Sequence, residues 1–214
     1  MICNHGAPIN GYSGLYGHNG NKKLGKQISV INREAGATCP GESEFCIGCY
    51  AKHGFFAMYG IQLQYRQGII NVPKKLRPLC RIHASGDFDT VAYIRAVVKW
   101  VEENPDTIFW AYTRSWNVAR LLPDLEILRA RPNVQLFASV DTTMPETPLG
   151  WRVAFIQGDN RYRGMQCLVQ QHTAECPDNC LGGSKHIAKK LDCKACGYCF
   201  RQGQTTGNVE FVKH

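Results

Sequence analysis

Short apolar runs alternate with helix-spaced stretches along most of the chain. "KQISVIN" (26–32) predicts a strand, "PLCRIHAS" (78–85) a second that ends in the turn-like "SGDFD", and "TIFWAYT" (107–113) a third. "VQLFASVD" (134–141) and "WRVAFIQ" (151–157) read as two more, and "QCLVQQ" (166–171) as a weaker one. Helical patterns lie between them. "FFAMYGIQLQYRQGII" (55–70) is a mixed example. "TVAYIRAVVKWVEENP" (90–105) is the clearest: Val91, Ile94, Val98 and Val101 recur at helical spacing, and Asp89 can cap it. "WNVARLLPDLEILRAR" (116–131) is helical, with Pro123 breaking or restarting it.

This rhythm predicts an α/β fold of parallel βαβ units. The strands are nearly continuous apolar runs, as strands covered on both faces tend to be. About six strands are too few for a closed eight-fold barrel of about 250 residues, so an open doubly wound sheet or a partial barrel is expected. Three segments follow: an irregular stretch over 1–25, an α/β body over 26–171 and a Cys-rich extension over 172–214. Ligands in such folds sit beyond the carboxyl ends of the strands. Those ends carry Ser85-Gly86-Asp87, Tyr112-Thr113-Arg114-Ser115, Ser139 with Asp141, and Gln157-Gly158-Asp159. They make one polar rim.

Composition narrows the class. The chain has 214 residues and is 44% hydrophobic, enough for a full core. No apolar run approaches the roughly 20 residues needed to span a bilayer. The N-terminus lacks a basic segment followed by an apolar core, so a cytoplasmic protein with no membrane partner is expected. The net charge of +8 favours anionic partners such as nucleotides or nucleic acid. The densest basic stretches (20–26, 72–78 and 185–190) are dispersed and read as solvated faces.

In a reducing compartment, the 11 cysteines point to metal or chemistry rather than disulfides. Cys3, Cys80 and Cys167 stand apart and read as small buried hydrophobes. The others form two groups. Cys39, Cys46 and Cys49 crowd into "CPGESEFCIGC" after the first strand, with no obvious local fourth ligand. That suggests a cluster with one iron left open; Cys80, on the second strand, could supply a fourth thiol. A zinc site completed by His53 or a remote residue, or an inert loop, are the alternatives. In the extension, Cys193-x2-Cys196-x2-Cys199 matches the iron–sulfur run of bacterial ferredoxins, where a distant Cys-Pro completes the tetrad. Cys176-Pro177 supplies that pair, with Cys180 a rival fourth ligand. A structural zinc site using four of these five is the alternative.

The cysteine loop resembles that of the radical S-adenosylmethionine superfamily. The resemblance implies a partial (βα)6 barrel in which three thiolates bind a 4Fe–4S cluster and the unique iron chelates S-adenosylmethionine. The spacing is C-x6-C-x2-C here, against a usual C-x3-C-x2-C, and Gly48 stands where an aromatic usually precedes the third cysteine. Ser85-Gly86-Asp87 occupies the place of the superfamily's Gly-Gly-Glu-like turn, which holds the methionine amino group. A closer resemblance is to the phage family of gene product eighty-eight. Residues 21–51, "HASGDFDTVAYI" (83–94), "FWAYTRS" (109–115), "FASVD" (137–141) and the cysteine tail look like its pattern. A phage-encoded protein would work in the host cytoplasm.

Three functions follow. The first is a radical enzyme. Cys39, Cys46 and Cys49 would hold the catalytic cluster, and Ser85, Gly86 and Asp87 would orient the methionine end of S-adenosylmethionine. Arg114, Ser139 and Asp141 would face cofactor or substrate. Cys176, Cys193, Cys196 and Cys199 would hold a second, auxiliary 4Fe–4S cluster. An electron donor such as a flavodoxin or ferredoxin is implied, with an anionic substrate, a nucleotide or nucleic acid. The second function is electron transfer or redox sensing without S-adenosylmethionine cleavage, which the widened spacing and altered turn favour. The third is a zinc-stabilised nucleic-acid binder; the charge supports it, while no dense basic stripe or aromatic stacking motif does.

Overall fold

The computed structural model describes residues 15–20, 23–54, 58, 61, 76–169, 192–201 and 207–212. Among them are eight strands: β1 (Tyr16–Asn19), β2 (Ile28–Asn32), β3 (Leu79–Ile82), β4 (Ile108–Thr113), β5 (Val134–Ser139), β6 (Arg152–Ile156), β7 (Gly164–Gln166) and β8 (Asn208–Phe211). They form one sheet in the order β1-β2-β3-β4-β5-β6-β8-β7. Only the β1–β2 pair is antiparallel. The protein is therefore an α/β fold with a mostly parallel sheet. From β2 to β6 the strand order follows the chain, without the reversal that a doubly wound sheet requires.

Two helices, α1 (Val91–Glu102) and α2 (Leu122–Arg129), pack in one core with side chains of the sheet. Right-handed crossovers put successive helices on the same side of a sheet whose order does not reverse. Helix α1 buries Tyr93, Ile94, Val97 and Val101. They share this core with Ile82, Phe109, Ala111 and Leu136 of the sheet and with Leu125 and Leu128 of α2. Full burial of one such side chain contributes about 1.5–3 kcal/mol. The cap of α1 is Thr90, whose hydroxyl accepts from the Tyr93 amide at 3.2 Å. The expected cap, Asp89, instead pairs with the buried Arg33. Helix α2 starts afresh with Pro123 in its first turn, after a separate 3₁₀ turn over Ser115–Asn117.

Period-two alternation divides each strand between two faces. In β4, Phe109 and Ala111 join the helix-side core, while Ile108, Trp110 and Tyr112 point the other way. The C-terminal extension covers that second face. Phe200 packs on Trp110 with ring centroids 5.0 Å apart, and a short helix α3 (Cys193–Cys196) lies nearby. Strand β8 enters the sheet between β6 and β7, so the extension completes the body rather than trailing from it. Strand β1 forms within the stretch expected to be irregular. Of the strand expected over 166–171, Gln166 ends β7, residues 167–169 are not strand, and 170–171 lie outside the described residues. The helix expected over 55–70 falls outside the described residues except at 58 and 61. No helix among the described residues is long and apolar enough to cross a membrane.

Candidate functional site

The loop carrying Cys39, Cys46 and Cys49 follows β2 and returns to the carboxyl-end rim of the sheet. Three contacts hold it there. Ser43 begins the 3₁₀ turn over Glu44–Gly48. Its hydroxyl accepts from Arg114 Nη1 at 2.7 Å and donates to Asp141 Oδ2 at 2.5 Å. The Tyr50 hydroxyl donates to the Ala84 carbonyl at 2.5 Å. Gly41 lies so close to the rim that an added Cβ would sit 2.2 Å from the Arg114 carbonyl oxygen.

Arg114 and Asp141 form an ion pair with little exposure on either side. Burial works against the Asp141 carboxylate. Hydrogen bonds from Ser43, Thr143 and Arg114 outweigh it and hold the carboxyl well below its ordinary range. Ser43 was not singled out in the sequence, yet its hydroxyl joins this pair to the thiol loop, 3.9 Å from Cys46 Sγ. The signal for it was only a polar residue opening a short turn.

Asp87 is engaged by the protein itself. It is buried. Its carboxylate accepts from the Thr113 hydroxyl at 2.5 Å, the Arg114 amide at 2.8 Å and the Phe88 amide at 2.8 Å. Burial raises its pKa, and these donors oppose the rise. Ser85 is buried too, donating to the Arg33 carbonyl at 3.0 Å. Gly86 has φ 76°, and a Cβ there would lie 2.7 Å from the Arg33 backbone. Ser85, Gly86 and Asp87 thus tie strand ends together at the rim. Ser139 ends β5, and its carbonyl accepts from Trp116 Nε1 at 3.1 Å. Asp159 is locked to Arg161 at 2.7 Å.

The loop thiols are electrostatic neighbours. Cys39 feels Cys49, and Lys52 feels both Cys46 and Cys49. Burial, aided by the nearby Asp87 charge, pushes the Cys39 thiol up to about 12. Cys39 is therefore a neutral thiol unless a cation compensates its thiolate. No three Cys, His, Asp or Glu side chains among the described residues are grouped to hold a single metal ion. A tetrahedral ion with bonds of about 2.3 Å draws its sulfurs to within about 3.8 Å of one another. A cubane asks for less convergence, because each thiolate binds a different iron. The all-thiol donor set fits a cluster on those terms. Cys80 lies in the helix-side core, away from this loop.

In the extension, Cys193, Cys196 and Cys199 surround a tight turn that closes at Gly197 (φ 71°). The turn is docked on the body by the Cys193 amide, which donates to the Lys23 carbonyl at 2.9 Å. Burial raises Cys193 to about 11 and Cys199 to about 12. All three pack against a cluster that contains Cys167, a residue the sequence left as a lone hydrophobe. Cys176 and Cys180 lie outside the described residues.

A family model described as Gene product 88 matches residues 67–202, well over half of the chain. The matched range includes Asp87, Arg114, Asp141, Cys167 and the three tail thiols, but not the loop thiols. The Gene 88 protein of Mycobacterium phage L5 is 37% identical over 68 residues, which cover 32% of this chain and 27% of that relative. The similarity thus spans about a quarter of the relative's length. No solved structure matches the chain. With a match of this extent, the chain belongs to the phage Gene product 88 family.

Proposed function

We propose that this chain is an iron–sulfur protein of radical S-adenosylmethionine-like type, built on a partial barrel and acting on an anionic substrate. The observation that supports the reading best is the seat of the three-thiol loop. It leaves the first parallel strand and is pinned at the carboxyl-end rim by Ser43, Tyr50 and Gly41. Cys39, Cys46 and Cys49 would hold a 4Fe–4S cluster there. Given one electron from a flavodoxin or ferredoxin, such a cluster supplies reductive cleavage of S-adenosylmethionine to methionine and a 5′-deoxyadenosyl radical. Arg114 and Asp141 position the loop through Ser43, and the Arg114 guanidinium adds positive charge at the rim.

Electron transfer or redox sensing is the second reading. The engagement of Asp87 by three internal donors favours it, because most of that carboxylate's accepting capacity is then used inside the protein.

Electron paramagnetic resonance of the anaerobically purified, reduced protein tests the proposal. A cluster signal that S-adenosylmethionine shifts, and that Cys46→Ala abolishes, supports the enzyme. An unshifted signal supports the second reading. Zinc without sulfide overturns both and leaves a zinc-stabilised nucleic-acid binder.

A further inference from the structure

Cys167 follows β7 directly, and its amide donates to the Glu210 carbonyl of β8 at 2.8 Å. That bond fixes it beside the second face of the sheet. There it packs in one cluster with Phe137, Ala154 and Val209, and Cys193, Cys196 and Cys199 pack against the same cluster. Sequence separates Cys167 from Cys193 by the whole segment 168–192, so only the sheet brings them together. The thiols also sense one another: Cys193 feels Cys167 and Cys196, and Cys199 feels Cys167 and Cys193.

The charges around them point to an anionic centre. The Arg81 side chain acts on Cys193, the Arg152 side chain on Cys199, and Lys23 interacts with both Cys167 and Cys193. Neither Arg81 nor Arg152 takes part in an ion pair among the described residues. Arg152 is held by hydrogen bonds to Gln135 and Gly207, whereas Arg81 Nε is buried with no hydrogen-bond partner among the described residues. Placing such a cation beside neutral thiols on an apolar face is unfavourable. Four thiolates around a core of charge +2 leave a net charge of about −2, which such cations complement.

We propose that Cys167 is the fourth ligand of the tail centre, completing a four-thiol site with Cys193, Cys196 and Cys199 in place of Cys176 or Cys180. The inference rests on the reading that the tail thiols bind metal. The four thiols share one cluster and are not grouped to hold one ion among the described residues; an all-thiol donor set is that of a cubane, in which each thiolate binds a different iron. A fully ligated centre on this face has no open position. Its role is structural or electron-transferring.

The test uses the full chain carrying Cys46→Ala, so that only the tail centre is counted. Iron, sulfide and zinc per chain are measured together with the oxidised and reduced electron paramagnetic resonance spectra. Adding Cys167→Ala is expected to lower bound metal at least fourfold, or to convert the cluster to a three-iron form with its own oxidised signal. Adding Cys176→Ala and Cys180→Ala together is expected to leave metal and spectrum unchanged. This second variant decides the matter even if Cys167→Ala does not fold. Full metal in Cys167→Ala, or its loss from the Cys176→Ala/Cys180→Ala protein, overturns the inference. Zinc lost with Cys167→Ala would support the four-thiol site while contradicting an iron–sulfur function. A wild-type protein that binds neither iron nor zinc would overturn both.

Discussion

Around Cys46 and Cys49 the neighbours stand in water: Ile47 is 80% exposed and Tyr50 62%. Around the tail thiols the setting is mixed: Lys194 and Ala195 of the turn are exposed, while the face beneath it is not. Val209, Phe137 and Ala154 are buried there, and the turn is stitched to Lys23, Leu24 and the sheet. The same residue type therefore occupies two settings. A site open to solvent leaves room for a ligand on the metal, whereas a closed one contributes its binding energy to folding. On the proposed reading the rim group would do the chemistry and the face group would hold the extension on the sheet.

The largest effect that sharpens this contrast is on stability. Cys199→Ala is expected to cost about 3 kcal/mol or more, because metal binding at a closed site is folding free energy. Cys46→Ala, on an exposed loop, is expected to change stability by less than about 1 kcal/mol. Anaerobic denaturant unfolding of both variants checks this. Equal losses would break the comparison.

Asp87→Ala comes next. It leaves the Thr113 hydroxyl and the Arg114 amide without their acceptor, which is expected to cost about 2–3 kcal/mol. Unchanged stability in denaturant unfolding would contradict this strut. Ser43→Ala removes the hydroxyl that links the loop to Arg114 and Asp141. It is expected to cost about 1 kcal/mol and to speed proteolysis within 39–50, with the tail region equally resistant before and after.

The smallest effect concerns pH. His83 lies just past β3 with φ 61° and donates to or accepts from the Tyr93 hydroxyl at 2.8 Å. Burial, with Arg33 and Arg81 nearby, holds its pKa well below the ordinary histidine value. The folded state thus keeps it neutral while the unfolded chain takes a proton below about pH 6.5. Its contribution is present above that pH and declines as pH falls toward the depressed value. His83→Asn tolerates the backbone conformation and is expected to flatten stability between about pH 6.5 and 5 relative to wild type.

Most strands were legible because β2 to β6 are rich in apolar residues and mostly buried, as "IFWAYT" illustrates. Strand β1, "YGHN", carries no apolar pattern and owes its place to pairing with β2. Strand β8, "NVEF", is short and stands within a segment whose cysteines dominated the reading. The loop thiols were visible from spacing alone. Asp87 was visible as a rim residue, but its bonds to Thr113 and Arg114 were not, since those partners meet it only in the fold. Cys167 was hidden because its partners are distant in sequence and meet it only across the sheet.

The most direct test of two separate centres is the iron and sulfide content of the anaerobically purified wild-type and Cys46→Ala proteins. The account predicts about eight of each per wild-type chain and about four per Cys46→Ala chain, with the remaining signal belonging to the tail. Full iron in Cys46→Ala, or zinc without sulfide in the wild type, would contradict it.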